Sequence, residues 1–279
     1  MLLSLEHSRI PMTYFSPLVA AALAVTAVVG LQKLTTGQAG PGEARAPRVA
    51  VLAELFTSEG CSSCPAADDL LRRLIADQPI NGVEVIAISE HVDYWNRLGW
   101  RDPFSSPRFT ERQTEYATTI ASPNGVYTPQ LVVDGRIGVV GSDLSEVRRA
   151  LTEAASGERA TVMISATQPA NLSTTVRASV GTVPSVGRDG TIRVMVAIVE
   201  DNLVTDVTRG ENASRRLKHD AVVRALHTIG SLDGDESAGE FSKKIELDRD
   251  WAARHLRVVA FLQDARTHRI VGVASAKLG

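Results

Sequence analysis

Cysteine is nearly absent: 279 residues carry two, and aromatic side chains make up only 5% of the chain. So few cysteines exclude a disulfide-rich secreted scaffold and a four-cysteine zinc site. An excess of charge is missing too. Thirty basic residues face 32 acidic ones, for a formal charge of -2, which gives no reason to expect a nucleic-acid partner. The apolar run Leu18 to Leu31 stops short of the roughly 20 apolar residues that span a bilayer. What is present is 44% apolar content, enough for the core of one large domain or two modest ones.

No charge falls between Arg9 and Lys33, and the apolar run is followed by Thr35-Thr36-Gly37-Gln38-Ala39. That pattern predicts a signal peptide over residues 1–39, with an uncleaved anchor as the alternative. The remainder is then exported to the periplasm or cell envelope, where disulfides persist. Its only expected membrane link is an uncleaved amino-terminal segment. Residues 40–47 read as a flexible lead-in.

Two composition zones follow. In residues 48–156, Arg48–Phe56 reads as a strand and Cys61–Asp77 as a helix with Leu70, Leu71, Leu74 and Ile75 on one face. Val83–Ser89 is a buried strand, Arg108–Ile120 a helix, and Pro129–Val133 and Ile137–Val140 a hairpin around Asp134-Gly135. Asp143, with Glu146 three positions on, opens a last helix. This is the order of an α/β thioredoxin-like domain, with an aromatic insert at residues 90–107. Residues 157–279 carry short strand signals between turns: Thr161–Ala166, Ser173–Val180, Thr191–Val199, Ala221–Ile229, Lys243–Leu247, Leu256–Leu262 and Ile270–Ala274. They predict a mostly antiparallel, sandwich-like carboxyl-terminal domain.

The cysteines stand three positions apart, in Gly60-Cys61-Ser62-Ser63-Cys64-Pro65, where the first strand turns into the first helix. A helix amino terminus favours a thiolate, so Cys61 is expected to have a modestly lowered pKa and to act as nucleophile, with Cys64 resolving. A purely structural disulfide here would close a four-residue loop, worth only about 2 kcal/mol. Thr128-Pro129 opens a later strand; resemblance to thioredoxin-like folds implies a cis Pro129 holding a backbone edge against the cysteines, with an ordinary trans proline as the alternative. Thioredoxins bury an acid in the strand before the cysteine pair, which makes Glu54 a candidate proton acceptor, with a solvated or structurally paired strand acid as the alternative. The insert contains Tyr94, Trp95 and Trp100. With Thr128 they are the expected substrate-binding lip. His91 and Asp93 could bind a metal or shuttle a proton, or serve as a hydrogen-bonded loop clamp.

Leu55-Phe56-Thr57-Ser58-Glu59-Gly60-Cys61-Ser62-Ser63-Cys64-Pro65, His91-Val92-Asp93-Tyr94-Trp95, Gly99-Trp100, Asp102-Pro103-Phe104 and Tyr127-Thr128-Pro129-Gln130 resemble the secreted, thioredoxin-like "domain of unknown function 1223" family of bacteria. Arg209-Gly210-Glu211-Asn212-Ala213 and Leu217-Lys218-His219-Asp220 look like two further segments of that family. Asp220-Ala221 departs from the usual residues after the histidine. The resemblance implies a thioredoxin fold, export and a cysteine pair at the first helix, and it leaves the activity open. The expected function is thiol–disulfide exchange with a protein thiol or disulfide as substrate and no cofactor. The rivals are a copper-binding module using Cys61, Cys64 and His91, and a cell-envelope interaction protein. No oligomeric state follows from the sequence.

Overall fold

A computed structural model describes residues 48–120, 125–184, 190–233 and 236–278. The signal segment and lead-in expected over residues 1–47 lie outside them. The alternating apolar stretches become strands β1 (Val49–Thr57) and β2 (Val83–His91), paired in parallel across α1 (Cys64–Asp77). After α2 (Pro107–Thr119) comes the hairpin β3 (Gln130–Val133) and β4 (Ile137–Val140), with β3 antiparallel to β1. Asp134 and Gly135 turn the hairpin at positive φ. A Cβ on Gly135 would stand 2.0 Å from the His268 carbonyl oxygen, so only glycine fits. In α3 (Leu144–Ala155) Asp143 accepts from the Ser145 and Glu146 amides. Glu146 itself turns outward to Arg149 at 2.7 Å rather than back onto the cap.

The second zone contributes β5 (Val162–Ala166), β6 (Ser173–Val180), β7 (Ile192–Glu200), β8 (Leu203–Asp206), β9 (Arg216–His219), β10 (Val222–Leu232), β11 (Gly239–Glu246), β12 (Leu256–Asp264) and β13 (Ile270–Lys277). Strands β8 and β9 form a separate ribbon that the alternation did not reveal.

The expected division into an α/β thioredoxin-like domain and a separate β sandwich is overturned. The molecule is mostly β, with three α-helices among the described residues. Its main element is one mixed sheet of eight strands, in the order β13-β12-β7-β10-β2-β1-β3-β4. The described residues all belong to one unit.

The reason lies at the outer edge of β2. An open strand edge presents unpaired backbone groups. Here β10 occupies that edge, with Val222 opposite Ser89 and a 2.7 Å bond from the Ser89 amide to the Ala221 carbonyl. Arg257 of β12 also donates to the Ala87 carbonyl at 3.1 Å. The apolar faces then merge across the junction: Leu52, Ile86, Ile88 and Phe109 pack in one cluster with Val199, Val223, Val259 and Phe261.

The two faces of the sheet are covered differently. Val51, Ala53 and Leu55 of β1 meet α1 and α3. On the same side, the β5–β6–β11 sheet closes over β7 and β12 through Val176, Ala178, Val196 and Ala260. Leu52, Glu54 and Phe56, the alternate residues of β1, face α2 on the other side. The cysteines, at the start of α1, belong to the first side.

Candidate functional site

Strand β1 ends at Thr57, and a tight turn brings the Cys61 amide to the Ser58 carbonyl at 3.2 Å. Pro65 then lies in the first turn of α1, a position where its missing N–H costs nothing. Cys61 and Cys64 are joined in a disulfide, with Cα atoms 5.4 Å apart. The turn presses on the insert: a Cβ on Gly60 would sit 3.0 Å from the Trp95 Cβ. Cys61 is 1% exposed and Cys64 fully buried. Cys61 is thus far less open to solvent than its place near the loop suggested.

The Thr128–Pro129 peptide is cis. The Thr128 carbonyl oxygen lies 3.9 Å from Cys61 Sγ, and Ser63 Oγ is 3.3 Å from the same sulfur. Trp95 donates its indole N–H to Thr128 Oγ1 at 2.8 Å. Cys61, Cys64, Thr128, Pro129 and Trp95 are therefore brought together. Tyr94 points elsewhere, donating to Gln113 Oε1 at 3.2 Å.

Trp100 serves a different purpose from lining a cleft. Its indole N–H donates to Glu59 Oε2 at 2.8 Å, and Glu59 is buried. The other carboxylate oxygen of Glu59 faces His219 Nε2 at 3.1 Å. His219 Nδ1 in turn stands 3.6 Å from Asp68 Oδ2, an ion-pair distance. Burial by itself would lower the His219 pKa. Asp68 and Glu59 outweigh it and hold the imidazole up at about 10, so His219 is an imidazolium near neutral pH. Asp68 is four residues after Cys64 on α1, which puts the two on one helical face.

A second histidine backs the first. His91 Nδ1 is 2.7 Å from Asp102 Oδ2, and its ring meets that of His219 edge-on at 4.9 Å. Phe104 packs against both rings, at 5.4 and 5.7 Å. Asp102 also accepts from the Glu59 and Phe104 amides at 2.8 and 2.9 Å. Burial opposes its ionisation, but His91 and these bonds prevail and keep its pKa below the ordinary value. Asp93 accepts from Thr110 Oγ1 at 2.6 Å. The insert is thus a clamp organised around Asp102. Among the described residues no group of three metal-ligating side chains forms, and His91 faces Asp102 through Nδ1.

The second zone closes over the cysteine turn. Asn212 donates to the Glu59 and Cys61 carbonyls at 2.8 and 2.9 Å. Glu211 accepts from the Ser62 amide at 3.0 Å. Glu59, Asp68 and Asn212 are members of the site that the residue-by-residue reading missed. The four-residue spacing of Cys64 and Asp68 was the available signal for one of them.

Glu54 requires a correction. It lies on the α2 side of the sheet, away from the cysteines, where Arg112 donates to it at 2.8 and 2.7 Å and Tyr116 also bonds to it. Alternation along β1 sends its side chain to the face opposite α1. Glu90 is buried beside it, 3.3 Å from Arg112. Burial raises the Glu90 pKa, Arg112 opposes, Glu54 adds to the rise, and the result is about 8.

The chain as a whole is similar to proteins of known structure. A crystal structure of protein AGR_C_4864 from Agrobacterium tumefaciens is 30% identical, with a TM-score of 0.64, covering 83% of this chain and 96% of that one. HBP35 of Porphyromonas gingivalis is 16% identical with a TM-score of 0.58, covering 83% of this chain and 76% of its own, and supports the fold alone. A search of curated proteins finds no match. The model of the family described as "Protein of unknown function (DUF1223)" matches residues 52–263. With most of its length so matched, this chain belongs to the DUF1223 family.

Proposed function

We propose that the protein is a thiol–disulfide oxidoreductase working through Cys61 and Cys64 on a protein substrate. In the reduced form the Cys61 thiolate attacks a substrate disulfide, forming a mixed disulfide and expelling one substrate thiolate. The Cys64 thiolate then attacks Cys61 Sγ. The intramolecular disulfide closes, and the second substrate sulfur leaves as a thiolate. Two electrons pass from the protein to the substrate, whose two thiolates take up protons. Run backwards, the same steps oxidise a substrate dithiol.

The observation that carries this reading is the Cys61–Cys64 disulfide at the start of α1, set against the Thr128 carbonyl. It uses the only two cysteines of the chain. His219, held between Glu59 and Asp68, supplies positive charge beside the turn of helix that bears Cys64. Because both sulfurs are covered, the exchange requires a local opening over Cys61. Export through residues 1–39 is part of the same proposal, since an oxidising compartment preserves the disulfide.

Insulin reduction by the wild type, with Cys61→Ser and Cys64→Ser controls, tests the chemistry. Turnover in the wild type and loss in both variants is expected. Cys64→Ser should also trap mixed-disulfide partners. A wild type without turnover, together with a reduction potential below about -300 mV, would mark the pair as structural.

A further inference from the structure

On the α2 side of the large sheet lies a cavity of about 490 Å³, between α2 and strands β7 and β10. That is within the size range of small-molecule sites, about 300–1,000 Å³. Phe104, Phe109, Met195, Leu226 and Trp251 form its apolar wall, and Arg224 enters it from β10.

The backbone places Arg224 there deliberately. Pairing of β10 with β7 runs through Val223 opposite Val199 and resumes at Ala225 opposite Ile198, so Arg224 is the extra residue of a β-bulge. A bulge re-aims a side chain that strict alternation would send to the other face. The guanidinium is then held by two rings, 5.2 Å from Phe104 and 5.6 Å from Trp251. Among the described residues its one ion pair is with Glu200, at 3.5 Å from Nε, Asp248 and Asp250 act on its charge from farther off, and its side chain is 19% exposed. Among the described residues Arg224 makes no hydrogen bond, and Glu200 Oε2 is likewise without a hydrogen-bond partner. An arginine that is largely buried, oriented by aromatic faces and left with free donors is a preformed fork for a planar anion.

We propose that this cavity binds a small organic carboxylate with an apolar body, its carboxylate seated on Arg224. The apolar wall takes the body. Arg108 and Arg193 line the same cavity as exposed side chains, with no ion-pair partner among the described residues. Glu111 and Glu115 of α2 also line the cavity, with Glu115 Oε2 4.0 Å from His268 Nδ1. This site is separate from the dithiol: α1 and the cysteines belong to the opposite side of the sheet, and Phe104 stands between Arg224 and the two histidines.

Isothermal titration calorimetry on the oxidised protein tests it, with 3-phenylpropionate and octanoate as probes and with 3-phenylpropionamide and inorganic phosphate as controls. Saturable binding of a carboxylate probe is expected. It should weaken at least about tenfold in Arg224→Gln, in the amide and in phosphate, and less than about threefold in Arg193→Gln. Arg224→Lys keeps the charge without the fork. It should also weaken binding at least about fivefold, and it serves if the glutamine variant does not fold. No saturation by either carboxylate at about 10 mM, equal binding of the amide or phosphate, or undiminished binding in the folded Arg224 variant would overturn the assignment.

Discussion

His219 Nε2 lies 3.1 Å from Glu59 Oε1, joining residues 160 positions apart. The first ends strand β9, and the second sits two residues before Cys61. Through this contact a cation from the second zone is buried under the cysteine turn of the first.

If His219 tunes the dithiol, His219→Gln should raise the pH at which the reduced protein is alkylated, by about one unit. Rapid alkylation of the reduced form across pH reads this. An unchanged profile accompanied only by lower thermal stability would mean that His219 holds the turn in place and nothing more.

Stability should fall as pH rises above neutrality. The His219 pKa is about 10 in the folded protein, above its ordinary value of 6.5. The stability this confers is complete below about 6.5 and lost as pH climbs through 10. Glu90, raised from 4.5 to about 8, acts with the same sign over a lower window. Thermal unfolding from pH 5 to 10 should show a continuous decline. Glu90→Gln should flatten the lower part, and His219→Gln the upper part. A wild-type curve that rises through this range would refute both assignments.

Asn212→Ala removes two hydrogen bonds that one buried amide donates to the Glu59 and Cys61 carbonyls. The loss should destabilise the fold by about 1–3 kcal/mol. It should also speed reduction of the disulfide by dithiothreitol severalfold, because the turn is no longer held from outside. Urea unfolding and the reduction time course measure the two effects separately.

Arg112→Met leaves Glu54 buried without its cation, which should cost about 3–5 kcal/mol in chemical denaturation. Glu54→Gln should leave insulin turnover near the wild-type level, since this carboxylate faces α2 and not the cysteines. Loss of turnover at unchanged stability in Glu54→Gln would restore the role first expected of it.

Several of these relationships were legible before the structure. The helix beginning at the cysteines, the Asp134-Gly135 hairpin and the Asp143 cap are local matters of side-chain spacing and turn chemistry. The hairpin and the cap appear where the residues predicted them, and the helix begins at Cys64, three residues after the expected start at Cys61. His91 was readable as a clamp. Its partner Asp102, eleven residues on, lay inside the same insert. Glu54 was misplaced because nearness along β1 to the cysteine turn does not say which face a strand residue takes. Asp68 and Asn212 were missed because their partners come from distant strands and loops.

The sequence by itself determined the short-range pieces: strand and helix periods, the cysteine pair at a strand-to-helix junction, and the aromatic insert after β2. The tertiary structure alone decided that β10 takes the free edge of β2, fusing two expected domains into one sheet, that Asn212 closes over Cys61, and that His219 pairs with Glu59 and Asp68. Periodicity and capping are written in side chains a few residues apart. Edge pairing is made by backbone N–H and C=O groups, which every residue but proline carries alike. Which strand satisfies which edge is therefore settled only when the whole chain packs.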